Sequence, residues 1–397
     1  MHYLGIDWAT EKHDLCLLAE DGRILSEFEI RHDWQGFQKL QALLAEFDAV
    51  QINIERSDGL LVDWLVSQNW PVFVTSPNVV SRRRPRRSKD DRGDAYLLAY
   101  LLRIGDPECR PLVCQSPTVL HLRQLDAALA DVLSEQRRLA NRLIQTLHQY
   151  YPAVLVAFRK YHSLIVQAFL EAYPCPQVAQ ALSMDELEAF LRQHRYPQVV
   201  KRLPVIYAAL QAPAPTARVE SGCIVQVQML APLLRQLHHQ RSHLEKEMVR
   251  VFKTHPEAAW WRHFPGANGP LTPVRLLAWI GDDRSRFPSP DVLQAIAGTA
   301  PITRRSGKSI SVEFRQACSH PLRRVVTDLA RQSVGYSGWA RSYFNSQRQR
   351  GHSKSRAYRA LGNRWLSIIW KLWQTGETYD EMKHLANRSR RGQPAQP

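Results

Sequence analysis

Cysteine is scarce in this chain and never closely paired. The six cysteines among 397 residues (Cys16, Cys109, Cys114, Cys175, Cys223, Cys318) are scattered and form no C-x-x-C. A disulfide scaffold and a zinc site are therefore not expected, and the thiols read as reduced. No run of eighteen apolar residues occurs, so no segment is expected to span a bilayer. The start, M-H-Y-L-G-I-D, lacks a basic region and a cleavage site, which reads as cytoplasmic. There is no G-x-x-x-x-G-K-[ST] loop to hold a nucleotide triphosphate. Acid is the minority charge: 53 Lys and Arg stand against 37 Asp and Glu, a formal net charge of +16. That excess implies a polyanionic partner, nucleic acid before an acidic membrane surface.

What the chain does have is a set of acids strung through its first hundred positions: Asp7 in L-G-I-D-W-A, Glu55 in I-N-I-E-R-S, and Asp91 and Asp94 in K-D-D-R-G-D-A. Asp7 and Glu55 each end a short apolar run, and Asp91 and Asp94 share one face of an expected helix. A single strand-end Asp is ordinarily a turn or capping residue. Four carboxylates brought together instead hold hard divalent cations such as magnesium, two of which commonly serve phosphodiester cleavage. Asp90, at i, i+4 from Asp94, is a rival for Asp91 that helix geometry leaves open.

The pattern around these acids predicts strands over residues 2–7, 15–19 and 24–30, then helix 34–46, a strand ending at Glu55, helix 60–68, a strand over P-V-F-V-T, and the helix of Asp91 and Asp94. Three strands followed by α, β, α, β is the order of a ribonuclease-H-like sheet. Beyond residue 112 the texture becomes helical. Glycine is absent from Ser116 to Val156, and leucines recur at helical spacing. A second long helix is expected from Cys223 to Phe252, and the two read as an antiparallel coiled-coil arm around an insert. The boundaries that follow are an acidic domain over 1–112, a helical insert over 113–256, a mainly helical domain over 257–385 and a basic disordered tail over 386–397.

Basic residues cluster in three places. S-R-R-R-P-R-R-S-K supplies Arg82, Arg83, Arg84, Arg86, Arg87 and Lys89 directly beside the acids. Such runs are usually solvated loops, but beside a metal site they can grip the phosphates flanking a scissile bond. A-G-T-A-P-I-T-R-R-S-G-K-S, read as a loop, sets Ser306 among Arg304, Arg305 and Lys308. By itself it reads first as a phosphate grip. The alternative is a serine nucleophile whose attack on phosphorus those cations would assist. Arg348, Arg350, Lys354 and Arg356 form a third phosphate-contact loop, whereas Trp365 to Trp373 read as core.

Taken together, these motifs resemble the DEDD transposases of bacterial insertion sequences, the bridge-RNA-guided recombinases. P-G-A-N-G-P (Pro265–Pro270), I-G-D-D-R-S-R-F (Ile280–Phe287) and G-T-A-P-I-T-R-R-S-G (Gly298–Gly307) match the family's C-terminal motifs, the first two with one extra residue each. The resemblance implies a RuvC-like domain holding magnesium, two ions, on Asp7, Glu55, Asp91 and Asp94. It also implies a transposase domain with Ser306 as nucleophile, a structured guide RNA pairing with donor and target DNA, and an active site composite between subunits; separately, the long leucine faces of the two arm helices predict subunit contacts in an oligomer, most simply a dimer or dimer of dimers. The alternative is a metal-dependent nuclease or Holliday-junction resolvase in which Ser306 only binds phosphate. An RNA-binding protein with a degenerate centre is a weaker third, against which the intact acidic set argues.

Overall fold

The computed structural model describes residues 1–84, 91–158, 160–161, 163–213, 220–267, 269–306 and 309–390. The chain divides into two compact units, Met1–Cys114 and Gln115–Pro397.

The first unit is a six-stranded mixed sheet with helices on both faces. β1 (His2–Asp7), β2 (Lys12–Leu18) and β3 (Ile24–Arg31) form an antiparallel meander, followed by α1 (Trp34–Leu44), β4 (Val50–Ile54), α2 (Leu60–Ser67), β5 (Val72–Val74), α3 (Pro77–Arg83), α4 (Asp91–Arg103) and β6 (Arg110–Pro111). The strand order is β3-β2-β1-β4-β5-β6, with β4 and β5 parallel to β1 and to each other respectively. β1 is covered on both faces, so its sequence is a continuous apolar run. Leu4 and Ile6 share a core with Phe37 and Leu40 of α1 and Leu61 and Leu65 of α2. On the other face, Cys16 and Leu18 meet Ala95 and Ala99 of α4. The expected strand and helix order is present. α3 and the short β6 are additions, and α3 takes Ser81 to Arg83 of the basic run into helix.

The second unit is mainly helical. α5 (Pro117–Tyr150) and α11 (Ser221–Lys253) are its longest elements, with α6 (Ala153–Ala157), α7 (Leu164–Ala172), α8 (Pro176–Gln180), α9 (Met184–Gln193) and α10 (Val199–Gln211) between them. Leu122 and Leu129 of α5 share a core with Met248 and Phe252 at the end of α11, while Leu143 and Leu147 share another with Val227 and Leu230 at its start. The two helices therefore run antiparallel. Neither end is bare: α6 to α10 build a core around one, and the C-terminal helices enclose the other. Asp126 of α5 accepts from Arg275 Nε at 2.6 Å and Trp279 Nε1 at 2.7 Å, which ties α5 to α12 (Thr272–Ile280).

After α13 (Pro290–Ile296) come β7 (Ile302–Ser306), β8 (Ser309–Glu313), α14 (His320–Tyr336), α15 (Gly338–Gln349), α16 (Lys354–Thr375) and α17 (Glu381–Arg390). The segment read as a serine loop is thus a two-stranded hairpin. Its alternation is hidden because nearly every β7 residue is polar and exposed. Trp365 and Trp373 are fully buried in the core, as expected. α17 extends to Arg390, into the segment expected to be a disordered tail; residues 391–397 lie outside the described residues. No helix among the described residues is long and apolar enough to cross a membrane.

Candidate active site

β1 and β4 are parallel neighbours in the register Ile6 to Ile54, so the next residue on each, Asp7 and Glu55, reaches the same sheet edge side by side. Asp94 comes to them from α4 through two packing devices. The first is Gly5: a Cβ there would collide with the Ala95 carbonyl and lie 2.5 Å from the Ala99 nitrogen. Only glycine lets α4 lie this close to β1. The second is Asn53 of β4, fully buried, whose Nδ2 donates to the Leu98 carbonyl at 2.8 Å while its Oδ1 accepts from Thr75 Oγ1 at 3.0 Å. Asn53 thereby fixes α4 along the sheet. Asp94, 1% exposed, follows from that placement.

Arg84 brings a cation to this edge. Its Nε donates to Asp94 Oδ1 at 2.5 Å and its Nη2 donates to Oδ2. The bond from Asp94, and then the charges of Asp94, Glu55 and Asp7, raise the Arg84 pKa above its ordinary value. Three of the four expected carboxylates therefore act on one guanidinium. The Asp91 side chain and Asp90 lie outside the described residues. Among the described residues, no three His, Cys, Asp or Glu side chains stand close enough to hold a metal ion. The donor set itself, carboxylates from two strand ends and a helix, has the chemistry a hard divalent cation takes.

Two residues that the motif reading missed follow the acids directly. The Arg56 guanidinium lies 4.3 Å from the centre of the Trp8 ring and bonds Asp58 at 3.1 Å. The signal was available: in parallel strands, the residues after Asp7 and Glu55 must also be neighbours. Beneath them, the Ala9 N–H donates to His13 Nδ1 at 3.3 Å, leaving His13 Nε2 to donate to His32 Nδ1 at 2.8 Å. Burial, and then the neighbouring His32, lower the His13 pKa to about 4. His13 is thus neutral and holds the turn that follows Asp7.

The basic residues divide by what they touch. Arg82 donates to the Asn78 carbonyl at 3.1 Å, and Arg83 pairs with buried Asp106 at 2.9 Å. With Arg84 on Asp94, two arginines of the run are held by acids of their own unit. Arg86, Arg87 and Lys89 lie outside the described residues, as does Lys308. In the second unit, Ser306 is exposed as the last residue of β7, paired with Ser309. Arg304 pairs with Glu313 across the hairpin at 3.0 Å, and Arg305 is exposed. Arg348 ends α15 and donates to the His352 carbonyl, Arg350 caps that helix, and Lys354 and Arg356 begin α16 behind the Ser353 cap.

The unit thus sets two strand-end carboxylates and Asp94 of a helix beside a basic segment. Comparison with known proteins gives the family. Residues 4–152 match the DEDD domain described as a transposase of IS110 type, and residues 262–345 match the domain described as Transposase IS116/IS110/IS902 family. A Streptomyces coelicolor protein named "Mini-circle putative transposase for IS117" is 33% identical across 97% of this chain and 96% of its own length. A protein of insertion element IS110 from the same organism is 26% identical over 85% of this chain and 81% of its own length. One of insertion element IS900 from Mycobacterium paratuberculosis is 23% identical over 95% and 96%. The chain belongs to the IS116/IS110/IS902 family and is a DNA transposase of insertion sequences.

Proposed function

We propose that this transposase exchanges donor and target DNA strands through a covalent phosphoserine at Ser306, with Asp7, Glu55, Asp91 and Asp94 as the metal-holding set. The observation that carries this reading is that the charges of Asp94, Glu55 and Asp7 all act on the Arg84 guanidinium, with Asp94 bonded to it directly. A site whose acids already share one positive charge has the electrostatics to take magnesium, most simply two ions, in its place. When bound, magnesium would supply charge stabilisation at the scissile phosphate and lower the pKa of a coordinated hydroxyl.

The chain's own residues do the rest. The Ser306 hydroxyl gives its proton to water as its oxygen attacks phosphorus; the P–O bond to the deoxyribose breaks, and the leaving oxygen takes a proton from water. Arg305, exposed beside the serine, offsets the charge on the phosphoryl oxygens. A hydroxyl of the partner strand then displaces the serine oxygen and restores the phosphodiester. Because the phosphoserine keeps the bond energy, no triphosphate is consumed.

A structured guide RNA that pairs with donor and target DNA belongs to the same proposal. The basic segments offer phosphate grip with little means of reading bases, so sequence choice is left to pairing. We also propose a homo-oligomer, a dimer or dimer of dimers, with α5 and α11 as a coiled-coil arm in the interface. In support, Val225, Met229 and Leu233 recur every four residues on α11 at 65%, 50% and 46% exposure. A helix face of that kind is ordinarily covered.

The test is to denature the protein after reaction with element-end DNA, digest the product and map the DNA-linked residue by mass spectrometry. A phosphoserine at Ser306 is expected. Cleavage without any adduct would instead identify a metal-dependent nuclease or junction resolvase.

A further inference from the structure

The root of the Ser306 hairpin carries a cluster of arginines that neither the family motifs nor the mechanism uses. Phe314 directly follows β8, is 38% exposed, and has two guanidinium groups against its ring. Arg323 of α14 and Arg359 of α16 each lie 4.3 Å from the ring centre. Arg323 is locked in place: it donates to the Arg315 carbonyl and, at 2.5 Å, to Cys318 Sγ. Gly298 explains how it fits. With φ +63°, a Cβ there would run into the Arg323 guanidinium and stand 2.7 Å from Cys318 Sγ. The glycine that opens the G-T-A-P motif is required by its positive φ, and its lack of a Cβ leaves the space that Arg323 and Cys318 fill.

Among the described residues, the charges that bear on Arg359 are those of Arg323 and Arg356, both positive; burial and then these two cations lower its pKa. Bringing like cations together costs free energy unless an anion joins them. With its Nη2 committed to Arg315 and Cys318 and its Nε buried, Arg323 contributes charge, while the edge of Arg359, stacked on the same ring, is the part that can take a bidentate anion. The anion that a DNA transposase meets is the phosphodiester.

We propose that Arg323 and Arg359, stacked on Phe314, form a phosphate subsite that grips the nucleic-acid backbone at the root of the Ser306 hairpin. The proposal rests on the reading of Ser306 as the residue that meets the scissile bond. Ile302, at the root, pairs with Glu313, and Ser306 lies four residues further on. At ~3.4 Å per strand residue this separation is about 14 Å. On that scale the gripped phosphate would lie only a few nucleotides from the bond that Ser306 attacks. The subsite would thus hold the strand in register while the hairpin tip reaches the phosphate.

The experiment measures binding by fluorescence anisotropy with the full chain from ~50 to ~200 mM salt. One arm uses a 30-bp DNA duplex of arbitrary sequence and the other an RNA hairpin of arbitrary sequence, both at about that scale. Arg359→Gln is expected to lower affinity about fivefold and the salt slope by ~0.9, the signature of one lost phosphate contact. Arg359→Lys should keep the slope, since the charge remains, and lose part of the affinity with the fork geometry. The arm that shows the loss identifies whether the backbone gripped is DNA or RNA. Wild-type affinity and slope in both arms for Arg359→Gln, at an unchanged melting temperature, would overturn the subsite and leave the arginines as hairpin supports. Should Arg359→Gln fail to fold, Arg359→Met removes the same charge and is read the same way. Binding is independent of the adduct, so mapping the nucleophile elsewhere would remove Ser306 without touching this result.

Discussion

Arg84 grips Asp94 through both arms of its guanidinium, Nε to Oδ1 at 2.5 Å and Nη2 to Oδ2. Asp94 is buried, and a buried carboxylate keeps its charge only with a partner. Arginine is that partner here; in the proposed reaction a metal ion takes over. Arg84→Ala should therefore destabilise the protein by about 2 kcal/mol, and magnesium should restore much of the loss. Urea unfolding with and without ~10 mM magnesium chloride reads it directly, this being well above an ordinary magnesium Kd. Equal gaps between variant and wild type in both conditions would mean that the ion does not replace the guanidinium. Manganese titration by calorimetry should show tighter binding in the variant.

Gly5 governs how near Asp94 comes to Asp7. Its would-be Cβ meets backbone atoms of Ala95 and Ala99, which cannot rotate away. Gly5→Ala is expected to cost about 3 kcal/mol by overpacking and to lower DNA cleavage further than that loss of stability explains. Cleavage rates compared at a temperature where both proteins are fully folded separate the two effects. Wild-type cleavage there would show that the spacing of α4 from β1 is not critical.

The sheet was legible because the chemistry is local. Each buried strand is an apolar run, and the register of β1 against β4 follows from where the runs end, so Asp7 and Glu55 could be placed together from sequence. Arg84 could not. It had the same appearance as Arg82 and Arg83, and what sets it apart is a contact with Asp94, fixed only once Gly5 and Asn53 seat α4. The hairpin was read as a loop because T-R-R-S carries no apolar face, and its strands form through mutual pairing without a buried side. The leucines of α5 gave its length, but their division between two cores depends on α6 to α10 and on α12, whose contacts are distant in sequence.

His13 links this edge to pH. Its folded pKa of about 4 lies below the ordinary 6.5, so between those values the unfolded chain binds more protons. The resulting stability is complete above about pH 6.5 and is lost as pH falls toward 4. From pH 7.5 to 5 the loss is about 2 kcal/mol. Protonation also removes the acceptor that holds the Ala9 N–H and loosens the turn after Asp7. His13→Gln should flatten this part of the profile. Urea midpoints at the two pH values are compared between variant and wild type, and parallel shifts in both proteins would place the proton elsewhere.

The proposed chemistry needs the acids of one unit and the serine of the other at a single phosphate, and this gives a test of whether subunits share their sites. Asp7→Asn should abolish the covalent adduct as fully as Ser306→Ala, since the hydroxyl cannot lose its proton or meet a stabilised phosphate without the acidic set. Both variants should keep the wild-type fold, because Asp7 ends its strand and Ser306 is exposed. Mixing the two dead variants is then decisive. If each site takes its acids from one subunit and its serine from another, random dimers are half mixed, and each mixed dimer rebuilds one of its two sites. About a quarter of the wild-type adduct should return, all of it on the chain carrying Asp7→Asn. If each chain instead completes its own site, no mixture recovers anything. Mass-labelled chains separated on a denaturing gel tell the two outcomes apart, and adduct on the Ser306→Ala chain would show that another residue is the nucleophile.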